Sequence, residues 1–154
     1  METLQSAHLM TLRLDVATGA MLNVGKTVLG RRLIAPITGG TFKGDRLHGV
    51  VLPGGADWVI NRPDGVMAID VRITLKTHDD ALIYCGYQGT FKATSEVMAR
   101  FNRGELLQES EYKLRTTVRL ETGAVGYSWL NDVPAVGVGR QTAQGPVYSI
   151  FEIQ

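Results

Sequence analysis

Asp57 and Trp58 follow a proline and two glycines in the run Pro53-Gly54-Gly55-Ala56-Asp57-Trp58. Glycines let a backbone pass close to a bound molecule, and a carboxyl can give or take a proton. An indole walls a pocket and, by desolvating an adjacent acid, raises its proton affinity toward a catalytic range. The same residues also describe an Asx-type turn followed by a core tryptophan. A second group lies in Leu114-Arg115-Thr116-Thr117-Val118-Arg119-Leu120-Glu121. Its arginines are planar forks suited to carboxylates, phenolates or enolates, and Glu121 is either their partner or a second proton carrier. Five tyrosines and two tryptophans against four phenylalanines favour a pocket with polar donors over a purely dry core.

Strands must position these groups. Short apolar runs separated by turn residues predict strands at 8–16, 27–36, 45–52, 56–62, 66–77, 81–91, 112–122, 125–131, 134–142 and 146–153. Pro63-Asp64-Gly65 predicts a hairpin turn joining 56–62 to 66–77, with Asp64 serving the backbone. One helix is predicted from Ser95, or Thr94, as cap through Val97, Met98 and Phe101, with Gly104 as its stop. About ten strands and one short helix point to a single all-β domain, a closed or nearly closed antiparallel barrel of eight to ten strands.

Two strands alternate cleanly. Met67, Ile69, Val71, Ile73 and Leu75 share one face, and Ala68, Asp70, Arg72, Thr74 and Lys76 the other. Likewise Tyr112, Leu114, Thr116, Val118 and Leu120 oppose Lys113, Arg115, Thr117, Arg119 and Glu121. The polar ladders either face water or line a barrel that holds a small ligand, with Arg72–Asp70 and Arg119–Glu121 pairing inside. Alternation alone does not choose between the two sides.

The totals narrow the classes. Sixteen basic and fifteen acidic residues leave a formal charge of +1, which disfavours nucleic-acid binding by bulk electrostatics. The lone Cys85 allows no internal disulfide, fits a reducing compartment, and reads as a small core residue rather than a nucleophile. No signal peptide or membrane-spanning apolar run is visible, so a cytoplasmic location is expected. Val24-Gly25-Lys26-Thr27 ends like a phosphate-binding loop, but Ala20 stands where that motif needs glycine. Gly137-Val138-Gly139 lacks the third glycine and the helix of a dinucleotide fingerprint. His8, His48 and His78 lack ligand spacing, and His78-Asp79-Asp80 fits a hairpin tip better than a metal site. No cofactor and no metal are expected.

The runs "LPGGADW", "RPDG", "LRTTVRLETG" and "WLN", with "LGRRLIAPITGG" upstream, resemble the DUF3237 family of bacterial and fungal proteins, also called UPF0311. The resemblance spans nearly the whole chain and implies a calycin-like or allene-oxide-cyclase-like barrel with a small-molecule cavity. It marks Asp57, Trp58, Asp70, Arg72, Arg115, Thr116, Arg119, Glu121, Trp129 and Asn131, among others, as motif positions. Departures fall at His48, at Asp79-Asp80, and at Leu114 and Leu120, where relatives carry Arg, Asp-Gly and aromatics.

Two functions follow as expectations. One is a cofactor-free isomerase or cyclase acting on a small oxygenated or aromatic molecule inside the barrel. Asp57 or Glu121 would move the proton and Arg72 and Arg115 would steady an oxyanion. His48, Trp58, Asp70, Tyr84, Arg119 and Trp129 would hold the substrate. The other is a non-catalytic carrier of a small hydrophobic anion. The expected partners are the small molecule and, through apolar outward faces, a second copy in a homodimer or larger homo-oligomer, with neither nucleic acid nor membrane.

Overall fold

The computed structural model describes residues 2–154. Its strands are β1 (Ser6–Val16), β2 (Leu22–Thr27), β3 (Gly30–Lys43), β4 (His48–Val51), β5 (Gly55–Asn61), β6 (Met67–Thr77), β7 (Leu82–Ala93), β8 (Tyr112–Glu121), β9 (Ala135–Gln141) and β10 (Pro146–Ile153). From β6 to β10 each strand pairs antiparallel with its successor. β1 closes the ring by pairing with β10 along one edge and with β3 along the other. β4 and β5 share the position between β3 and β6, one at each end. The result is a closed eight-stranded barrel with two additional strands.

The alternating sets choose their sides by polarity. Met67, Ile69, Val71, Ile73 and Leu75 of β6 are all buried, as are Leu114, Thr116, Val118 and Leu120 of β8. They meet Leu12, Phe42, Ile83, Phe91 and Ile150 in an apolar interior. Burying such side chains stabilises by about 1.5–3 kcal/mol each, whereas buried charges would need partners on every side. The polar ladders therefore face outward. The expected internal pairs Arg72–Asp70 and Arg119–Glu121 do not form among the described residues, whose ion pairs involve other groups.

Two predicted strands differ from expectation. The strand predicted at 27–36 is a hairpin, β2 and β3, whose turn sits at Val28-Leu29. Gly30 makes this possible: its φ is +131°, and a Cβ there would lie 2.3 Å from the Asn61 carbonyl oxygen. The strand predicted at 125–131 is a 3-10 helix, Val125–Asp132, in which Tyr127 and Leu130, three apart, are buried. The helix α1 (Ser95–Asn102) is capped by Thr94, whose side chain accepts from the Val97 N–H at 3.2 Å. α1 lays Phe101 against the buried Phe91, ring centroids 4.8 Å apart. The Arg62–Gly65 turn forms as expected, with Asp64 accepting from the Val66 N–H at 3.2 Å.

Candidate functional site

Register places Asp57 inside the barrel. It lies opposite Val71 on one side and Ala35 on the other, both buried, and directly opposed residues share a face. The β5–β6 pairing is interrupted after Asp57 and resumes at Ile60. In that gap the Asp57 carboxyl replaces a backbone acceptor, taking the Asp70 N–H at 3.1 Å. The bond fixes one carboxyl oxygen and leaves the other for different chemistry. Burial dominates the proton affinity of Asp57 and raises its pKa to about 7; the Asp70 N–H opposes this, and the Asp70 charge adds to it.

Two phenols share this interior. Tyr87 on β7 and Tyr148 on β10 are buried, with ring centroids 4.8 Å apart. Burial pushes both phenols up, Tyr87 well above its ordinary value, and the Asp57 charge pushes each further. Both therefore remain O–H donors across the physiological range. The Tyr87 hydroxyl and the Thr116 hydroxyl are buried without a hydrogen-bond partner in the protein. Such orphaned groups are rare in folded proteins and mark strain, bound solvent or function. Space for Tyr148 comes from β9: Gly139 lies opposite it, and a Cβ there would meet its ring at 2.7 Å. Thr116 has the same relation to Gly137, where a Cβ would fall 2.4 Å from the threonine hydroxyl.

The other predicted residues lie elsewhere. Trp58 faces outward on β5, with the Arg72 guanidinium over its ring at 5.5 Å. Arg72 and Arg119 sit opposite Gly86, one on each side, in an outer groove of about 600 Å³ that also contains Asp70, Tyr84 and Glu121. Five candidates are thus brought together on the outer wall, across the sheet from Asp57. Arg115 is also outward and exposed, and it donates to the Leu114 carbonyl at 3.0 Å. His48 belongs to a different groove, and Trp129 packs beneath Arg46 at 4.1 Å. Asn131 pins the end of β8, accepting the Thr122 N–H at 2.8 Å and donating to its carbonyl at 3.0 Å. Tyr148 was not among the candidates; the alternate glycines Gly137 and Gly139 were the signal that a large ring lies across from them.

The family described as "Protein of unknown function (DUF3237)" matches residues 4–153. The chain belongs to that family. A UPF0311 protein of Rhodopseudomonas palustris is 30% identical over 151 residues, covering 98% of this chain and 97% of the relative. A UPF0311 protein of Clostridium acetobutylicum is 34% identical over 103 residues, 67% of this chain and 65% of the relative. Among solved structures, a conserved R. palustris protein of unknown function superposes with TM-score 0.94 at 30% identity, both chains fully covered. A β-barrel-like protein from Acinetobacter baumannii gives 0.86 at 33% identity, covering 100% of this chain and 98% of that one. An enzyme from Penicillium herquei shares the fold at TM-score 0.74 and 18% identity, covering 100% and 97%.

Proposed function

We propose that this DUF3237 protein is a cofactor-free isomerase or cyclase that moves a proton on a small oxygenated or aromatic molecule bound against Asp57 inside the barrel. The observation that carries this reading is a carboxyl with pKa about 7, in an interior that also holds two phenols and an orphaned threonine hydroxyl. A base whose pKa lies near the working pH combines a usable ionised fraction with real proton affinity. The Asp57 carboxylate accepts a proton from carbon next to a carbonyl, and the Tyr87 or Tyr148 O–H donates to the developing enolate oxygen. Asp57 then returns the proton at another atom of the same molecule, so no atoms or electrons are gained or lost. The oxyanion role expected of Arg72 and Arg115 passes to the phenols in this scheme, because those arginines project outward. The Penicillium herquei protein is described as an enzyme, and its barrel is a fitting precedent for chemistry in this scaffold.

The carrier reading is favoured by a separate observation: Arg72 and Arg119 flank Gly86 in the outer groove with no ion pair to either among the described residues. One experiment separates the two. Proton–deuterium exchange at the α-carbons of a panel of cyclic ketones and β-diketones is followed by NMR in D₂O. Wild type is expected to accelerate exchange, more strongly as pH rises through about 7 as the carboxylate forms. Asp57→Asn should abolish the exchange while leaving ligand affinity within about tenfold, roughly 1.4 kcal/mol. Exchange that survives in Asp57→Asn sinks the proton-transfer reading. Ligand binding lost only in Arg72→Ala and Arg119→Ala, with no exchange in any protein, selects the carrier.

A further inference from the structure

A cavity of about 930 Å³ lies on the outside of the barrel, over β1, β3, β4 and β6. It shares no residue with the surroundings of Asp57 and is not needed by the function proposed above. Register lays out its floor. Arg13, Thr41, Val50 and Lys76 lie directly opposite one another across the four strands, a backbone span of about 14 Å from Arg13 to Lys76 at the usual strand spacing of ~4.8 Å. The neighbouring row runs from Thr11 to Lys43 to His48, and the His48 ring stacks on that of His78 at 4.1 Å and 6°. Two bare backbone positions line the cavity. A Cβ at Gly49 would lie 2.0 Å from the Lys76 carbonyl oxygen, and one at Gly44 would lie 1.9 Å from that of Leu9.

Charge distinguishes this cavity from the groove over β6, β7 and β8. The whole chain carries +1, yet Arg13, Lys43 and Lys76 face this one hollow, with Asp45 as its only lining acid. Lys76 reaches Asp80 at 3.4 Å. Arg13 and Lys43 have no ion pair among the described residues. The groove over β6, β7 and β8, by contrast, balances Arg72 and Arg119 with Asp70 and Glu121. Concentrated like charge in a concave site raises the local concentration of small anions. The guanidinium fork and the ammonium are the donors that bind phosphoryl oxygens best, and the Val50 side chain and the imidazoles supply an apolar bed beside them.

We propose that this outer groove binds a small dianion of the phosphomonoester type, its phosphoryl group held between Arg13 and Lys43 and its organic part over Val50 and the stacked histidines. The probe is phenyl phosphate, titrated into the purified protein by calorimetry at low ionic strength, with phenol as the uncharged comparison. Saturable one-site binding is expected for phenyl phosphate and not for phenol. Arg13→Ala or Lys43→Ala should weaken it at least about tenfold, and the pair about a hundredfold. The charge-preserving double variant, Arg13→Lys with Lys43→Arg, should retain most of the affinity, which separates lost contacts from lost folding. Asp57→Asn should bind phenyl phosphate like wild type, so failure of proton transfer and failure of this site are read independently. Absence of saturable binding, or binding that survives the alanine double variant, overturns the proposal.

Discussion

A carboxyl that ionises near neutrality inside a barrel burdens the fold as well as serving it. Asp57 titrates at about 7 in the native state and, like any exposed aspartate, near 3.9 when unfolded. Below pH ~4 both states hold the proton, and Asp57 contributes no pH dependence. Between the two values only the native state holds it, so stability falls as pH rises, and above about 7 the loss is complete. Three units correspond to about 4 kcal/mol at most. Asn in the same place keeps an acceptor for the Asp70 N–H and carries no charge. Asp57→Asn is therefore expected to raise the melting temperature at pH 8 by several degrees and to change it little at pH 4. Equal shifts at both pH values would show that the ionised carboxylate is not what strains the site. Cys85 tests the same interior with a different group. Burial raises its thiol to about 12, so the native protein should leave it unmodified by an aromatic disulfide reagent until denaturant is added. The acid beside a double glycine was visible in the sequence. Its orientation was not, because Asx turns and buried acids use the same residues, and only the register against Ala35 and Val71 separates them.

At the scale of strands, two glycines three residues apart on β7 meet very different neighbours. A Cβ at Gly89 would lie 2.0 Å from the Arg115 carbonyl oxygen, where backbone must move. At Gly86 the nearest atom is the Tyr84 hydroxyl at 2.8 Å, the far end of a side chain that can swing outward. Gly89→Ala should cost about 1–3 kcal/mol, the usual range for overpacking, and Gly86→Ala well under half of that. Chemical denaturation of the two variants side by side checks the ordering, and equal costs would count against it. On α1, Thr94→Ala should remove about 1 kcal/mol by exposing the Val97 N–H, measurable in the same experiment. Period-two alternation gave the memberships of both β6 faces correctly. It could not say which face is inward, since a barrel may be lined by either set; the bulk of the Ile, Leu and Val side chains decides. It also misassigned Val125–Asp132, where spacing of three between Tyr127 and Leu130 outweighs the strand-forming character of the individual residues.

For the molecule as a whole, the division between inside and outside sorts the candidate residues more firmly than their distance along the chain. Asp57 and Trp58 are neighbours in sequence, yet one belongs to the interior and the other to the outer wall beneath Arg72. The family motif could not reveal this split, because residues holding the barrel and residues meeting a ligand are interleaved along the same strands. The way the ring closes carries a consequence for how the protein comes apart. β6 to β10 pair with sequence neighbours and can assemble by successive hairpins, whereas β1 must find β10 from the far end of the chain. Such long-range pairing completes late, after the loop entropy has been lost. β1 is then a latch, fastened on both edges by β10 and β3, and its buried Leu12 touches register partners on each. Leu12→Ala should cost about 2–5 kcal/mol and should act mainly by hastening unfolding, leaving the refolding rate nearly unchanged. Stopped-flow rates against denaturant would show that asymmetry as a steep rise of the unfolding limb alone. A matching loss in the refolding limb would instead make β1 part of the nucleus, and the barrel would close before it zips.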